Sequence, residues 1–128
     1  MTKRILIIDD EERIREVIRA CLEDLGGWEA ITAESGKEGL LKTTTETLDA
    51  IFLDVSMPDM DGLLFFERLQ ENPATQSIPV VLLTAKVLPD DRARFAQIGV
   101  AGVITKPFNP ITICERLAEI LGWELSIF

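Results

Sequence analysis

A chain of 128 residues, 47% apolar and 27% charged, carries enough hydrophobic surface to fold as one domain and too much to remain disordered. Its 22 acidic against 13 basic residues give a formal net charge of −9, which repels phosphate backbones and argues against direct nucleic-acid binding. No apolar run nears the ~20 residues of a membrane span, and MTKRILIIDD lacks the long apolar segment of a signal peptide, so no membrane and a cytoplasmic location are expected.

The first apolar run, Arg4 to Ile8, leads straight into Asp9 and Asp10. A helical stripe follows at Ile14, Val17, Ile18, Cys21, Leu22 and Leu25, with Arg13, Arg15, Glu16, Arg19 and Glu23 on the solvent side and Gly26 and Gly27 as its stop. A second run, Trp28 to Ala33, precedes an S-x-x-E capping box at Ser35 and Glu38 that opens the next helix.

The third run, Ala50 to Leu53, ends at Asp54. In the MPDMDG segment beyond it, Pro58 and Gly62 mark a turn, Asp59 reads as a turn residue, and Asp61 can cap the third helix. Val80 to Leu83 ends at Thr84, a fourth helix is expected from about Pro89–Asp91 to Gly99, and Gly102 to Ile104 leads to Lys106. Asn109 and Pro110 suit the N-cap and first turn of the last helix.

The three richest runs are continuous rather than alternating, as in strands covered on both faces of a parallel sheet. Their end markers Asp10, Thr32, Asp54, Thr84 and Lys106 follow at intervals of 22, 22, 30 and 22 residues, room for a strand, a crossover helix and two loops. Right-handed crossovers put every strand's carboxyl end on one edge of the sheet, where ligand sites of open α/β sheets form. That edge would collect Asp9, Asp10, Asp54, Thr84 and Lys106.

Three crowded carboxylates raise one another's pKa unless a cation sits among them, and hard oxygen donors suit Mg²⁺. A carboxylate can also accept a phosphoryl group when cations stabilise the transfer. Lys106 offers a fixed positive charge for this and Thr84 a hydroxyl. Taken singly, Asp9 and Asp10 could be helix caps, with Asp10 able to cap and ligate, Asp54 a turn residue, Thr84 a strand residue and Lys106 a surface charge. Cys21 and Cys114 have no CxxC spacing and no histidine beside them, and read as reduced packing thiols.

The segments ILIIDDEERIRE, FLDVSMPDMDG, VVLLTA and GVITKPF, spread over residues 3 to 121, resemble the response-regulator receiver domains of two-component signalling, the CheY-like superfamily. The resemblance implies a doubly wound α/β fold, flavodoxin-like, with five parallel strands in the order 2-1-3-4-5 and five helices. It implies one domain over residues 1–128, with a core of about 3–121 and a tail at 122–128. Asp54 would accept the phosphoryl group. Mg²⁺ would be held by Asp10 directly, Asp9 through water, Asp54, and the main-chain carbonyl of Ser56. Thr84 would move toward the phosphoryl oxygen, Lys106 would pair with it, and Lys106-Pro107 would be cis.

Such a module is a signalling switch rather than an enzyme. Its donor would be a sensor histidine kinase or a phosphotransfer protein, and its output an unidentified protein target, as a monomer or a phosphorylation-dependent dimer. The responding face would run from about Pro89 to Leu121. Val103 stands where many receivers carry an inward-turning Tyr or Phe. Ser56 and Lys86 flank the acceptor and would tune phosphoryl lifetime. The phenylalanines Phe65, Phe66, Phe95 and Phe108 read as core or partner surface. In the tail, Trp123, Leu125, Ile127 and Phe128 are expected to pack back on the body.

Three other readings compete. A degenerate receiver binding constitutively is opposed by the complete acidic set. A haloacid-dehalogenase-type phosphatase would need a second Asp where Ser56 stands. A flavodoxin-like FMN carrier would need a phosphate-cradling loop that the sequence lacks.

Overall fold

In the computed structural model, the described residues are 2–55, 60, 62–85 and 89–123, the side chains of 89–92 excepted. The expectations for Ser56, Asp59, Asp61, Lys86, Leu125, Ile127 and Phe128 lie outside them. Five strands, β1 (Arg4–Ile8), β2 (Glu29–Ala33), β3 (Ala50–Asp54), β4 (Val80–Thr84) and β5 (Gly102–Thr105), alternate with α1 (Glu12–Cys21), α2 (Gly36–Thr45), α3 (Gly62–Glu71), α4 (Pro89–Ile98) and α5 (Ile113–Leu121). All strand pairs are parallel, and the sheet runs β2-β1-β3-β4-β5.

The central strands β1, β3 and β4 are nearly continuous apolar runs because each face of the sheet has its own core. Ile5, Ile7, Ala50, Phe52, Val81, Leu83 and Ile104 pack with Ile18 and Leu22 of the α1 segment and Ile113, Cys114 and Leu117 of α5. The alternating set Leu6, Ile8, Ile51, Leu53, Val80 and Leu82 packs with Phe65, Phe66 and Leu69 of α3 and Phe95 of α4. Burying these side chains on both faces stabilises the sheet by roughly 1.5–3 kcal/mol each, and it leaves only the strand ends open for chemistry.

Several local expectations are refined. The helix begun by α1 widens over Leu22–Gly26 and ends at Gly27, whose φ of 69° is the left-handed conformation glycine favours. Val17 leaves the apolar stripe and is 40% exposed. β2 begins at Glu29, although Trp28 before it is buried.

At α2 half of the expected capping box forms. Ser35 Oγ accepts from the Glu38 N–H at 3.2 Å, but Glu38 Oε2 accepts from Glu34 rather than Ser35, because its other oxygen is drawn to Lys42 at 3.1 Å. Asn109 does not cap α5 directly. Its Oδ1 accepts from Ile111 N–H at 2.9 Å within a separate turn, and α5 starts four residues later.

At the amino ends of the strands, Trp123 stacks edge-on to Trp28 at 5.3 Å, and the Lys3 ammonium lies over its ring at 5.2 Å. The start of the tail therefore packs on the body as expected. Cys21 and Cys114 are both free thiols: the Cys114 thiol donates to the Cys21 carbonyl, and the Cys21 thiol to that of Pro110, each at 3.0 Å.

Candidate functional site

The register explains why the predicted residues meet. Ile8 of β1 lies beside Leu53 of β3, Asp54 beside Leu83 of β4, and Thr84 beside Thr105 of β5, so four strands end at one level. Asp9 continues from β1 and is tied to β2 by its N–H donating to Ala33 O at 3.2 Å. Lys106 continues from β5, and its N–H donates to Thr84 O at 2.8 Å. Lys106-Pro107 is cis.

Carboxylate oxygens of Asp9, Asp10 and Asp54 lie within 4.8 Å of one another. Asp9 and Asp54 are buried and Asp10 is exposed, so the cluster opens to solvent through Asp10. Lys106 Nζ stands 3.4 Å from Asp9 Oδ2 and 3.6 Å from Asp54 Oδ1. Thr84 ends its strand on the same edge and is buried.

Asp9 carries the electrostatic tension of the site. Burial pushes its carboxyl pKa up, while the N–H of Glu11 and the charge of Lys106 act against that rise. The neighbouring Asp10 adds only a small upward push, so desolvation rather than mutual repulsion is the main cause. For Lys106 burial works to lower the pKa, but Asp9 and Asp54 together overcome it and raise it, keeping the ammonium charged.

Oδ1 of Asp9 accepts from Glu11 N–H at 2.9 Å. Oδ2 is buried with no hydrogen-bond partner among the described residues, held only by the ion pair with Lys106. Neither Asp9 nor Asp10 caps α1, whose N-cap is Glu11 with no side-chain hydrogen bond; Asp9 instead makes a local turn with the Glu11 N–H. A buried, unsatisfied carboxylate oxygen facing two further carboxylates is a donor set that fits a hard divalent cation.

Gly62 allows the approach of α3 to the strand bearing Asp54. Its N–H donates to Val55 O at 2.8 Å, and a Cβ there would lie 2.8 Å from Val55 Cα and 3.3 Å from Asp54 O. Beside Lys106, a hollow of about 460 Å³ is walled by Ile14, Val17, Pro107, Phe108 and Pro110, which accounts for the exposure of Val17.

One neighbour was not singled out from sequence. The apolar stripe puts Arg15 on the solvent side of α1, yet its side chain is 13% exposed and Nη1 donates to the Asp9 carbonyl at 2.8 Å. The available signal is that long helical side chains lean toward the preceding turn.

The family model described as response regulator receiver domain matches residues 5–118. The alkaline phosphatase synthesis transcriptional regulatory protein PhoP of Bacillus subtilis is 37% identical over 94% of this chain and 49% of its own length. The phosphate regulon transcriptional regulatory protein PhoB of Escherichia coli is 34% identical over 94% of this chain and 52% of its own. The chain therefore spans about half the length of the curated relatives it matches.

Among solved structures, the chemotaxis response regulator CheY4 of Vibrio cholerae superposes with a TM-score of 0.87 at 31% identity, covering 94% of this chain and 99% of that one. Among the described residues, no helix is long and apolar enough to cross a membrane.

Proposed function

The chain belongs to the response regulator receiver domain family of two-component signalling, and from that premise we propose that it is a switch whose Asp54 accepts a phosphoryl group from a phosphohistidine donor. The observation that carries this reading is the placement of Asp54. It is a buried carboxylate at a strand end, with a lysine ammonium 3.6 Å away and two further carboxylates within 4.8 Å.

In the reaction, a carboxylate oxygen of Asp54 attacks phosphorus in line, the P–N bond to the donor imidazole breaks, and an acyl phosphate forms. Lys106, charged and held by two acids, is placed to offset negative charge on the transferring group. Thr84 ends β4 beside the site and supplies a hydroxyl to a phosphoryl oxygen. Asp9, Asp10 and Asp54, with the Ser56 main-chain carbonyl, would hold Mg²⁺, whose charge supports the same transfer.

Phosphorylation brings roughly −1.5 to −2 charge to a site already rich in anions. Lys106 and Thr84 are drawn toward it, and because Lys106 N–H is bonded to Thr84 O, β4 and β5 respond together. The face from about Pro89 to Leu121 is the reading's output surface. The apolar hollow beside Lys106 gives the donor protein a place to rest near Asp54. A cytoplasmic histidine kinase or phosphotransfer protein fills that role, and the output is a protein contact. Residues 1–128 act as one receiver unit with no enzymatic turnover of an external substrate. The relatives are named as transcriptional regulators, but the acidity of this chain favours protein over nucleic acid as its direct partner.

The test is intact-mass analysis after incubation with acetyl phosphate and Mg²⁺. One phosphoryl adduct is expected for the wild type and none for Asp54→Asn or for protein in excess EDTA. An adduct that persists in Asp54→Asn would end this reading.

A further inference from the structure

Asp10 is the exposed member of the acidic trio, and its side chain makes no hydrogen bond or ion pair among the described residues. Its direction is set by the two peptide units that flank it. The Asp10-Glu11 unit is held because Glu11 N–H donates to Asp9 Oδ1 at 2.9 Å. The Asp9-Asp10 unit is held because its carbonyl accepts from Arg15 Nη1 at 2.8 Å.

The guanidinium itself is well supported. It is mostly buried, it sits on α1 above the loop it bonds, and its second terminal nitrogen stands 4.0 Å from Glu34 Oε2 in the β2–α2 loop. We propose that Arg15 is a positioning residue for the cation site, clamping the Asp9-Asp10 peptide so that Asp10 presents its carboxylate toward Asp9 and Asp54. The inference rests on the reading of these three acids as Mg²⁺ ligands.

Two roles for Arg15 predict effects of opposite sign. A cation close to a divalent-metal site repels the metal, so on charge alone removing Arg15 would tighten Mg²⁺ binding. If Arg15 instead holds the peptide, removing it frees Asp10 to sample other directions and binding weakens. Outer groups that orient metal ligands typically contribute about 10–100-fold to affinity.

The experiment is calorimetric titration of MgCl₂ into the metal-free full chain at neutral pH, with folding checked by thermal melts. Arg15→Met is expected to weaken Mg²⁺ binding about tenfold. Arg15→Lys keeps the charge but loses the planar fork, and is expected to weaken it about threefold. Arg19→Met removes a cation from the same helix that pairs with Glu23 at 3.6 Å, away from the loop, and is expected to bind as the wild type does.

Equal or tighter binding by Arg15→Met overturns the proposal. Should that variant fail to fold, Arg15→Lys decides alone, unchanged affinity overturning the clamp. Equal weakening in Arg19→Met also overturns it, since the effect would then be one of helix charge. Wild-type protein that takes up no Mg²⁺ would fail the cation-site reading itself, and the inference with it.

Discussion

The Lys106 ammonium lies 3.4 Å from Asp9 Oδ2, an oxygen that is buried and satisfied by no hydrogen bond among the described residues. This pair joins the end of β1 to the end of β5 across the sheet, and it makes Lys106 the internal counter-charge of an acidic pocket. Lys106→Met should destabilise the metal-free protein by roughly 1–3 kcal/mol, since it strands buried carboxylates without a partner. Urea denaturation with and without Mg²⁺ measures this, and the loss should shrink when Mg²⁺ is present.

Asp9 should have the opposite effect on stability. Its pKa is raised in the folded state, chiefly by burial, so the folded protein binds that proton more tightly than the unfolded chain. Stability from this group is greatest at acid pH and declines as pH rises from the unfolded value, about 3.9, through the raised folded one. At neutral pH Asp9→Asn keeps an oxygen for Glu11 N–H and removes the buried charge. It should stabilise the metal-free protein by roughly 0.5–2 kcal/mol while weakening Mg²⁺ binding. Urea midpoints at pH 5 and pH 7 check the sign.

Mg²⁺ should act as a stabilising ligand. At a hundredfold excess over its dissociation constant, linkage gives about 2.7 kcal/mol, seen as a higher melting temperature that EDTA reverses. Asp10→Asn should abolish most of this response without lowering the metal-free melting temperature.

Gly62→Ala places a methyl 2.8 Å from a backbone atom of Val55, which no side-chain rotation relieves. Overpacking of this kind costs about 1–3 kcal/mol. Because Val55 directly follows Asp54, the phosphorylation rate with acetyl phosphate should fall as well, and the two losses can be read by urea midpoint and intact mass.

The Cys114 thiol is pushed up to about 11, first by burial and then by the neighbouring Cys21. It stays protonated at pH 8 and should be inert to Ellman's reagent in the native protein, reacting only once the chain unfolds. Rapid labelling of Cys114 under native conditions would contradict the packing described at the α1–α5 contact.

The sheet and its acidic edge were legible because they depend on pattern. Continuous apolar runs with regular spacing describe buried parallel strands, and the acids at their ends follow from topology. Side-chain choice among near-equivalent partners was not legible. Glu38 met the capping pattern but turned to Glu34 and Lys42, and Asn109 made its own turn ahead of α5. Arg15 was hidden for a related reason. A helical wheel reports which way a residue leaves the axis, not how far a long side chain leans along it.

The Trp28–Trp123 pair sits at the amino ends of strands whose carboxyl ends carry the acids, a separation of about 16 Å for a five-residue strand. These are the chain's two indoles. Its intrinsic fluorescence therefore watches the floor of the molecule while the chemistry proceeds at the roof. An emission change on unfolding, set against silence on cation binding, lets one untagged sample report structural integrity independently of whether the site is filled.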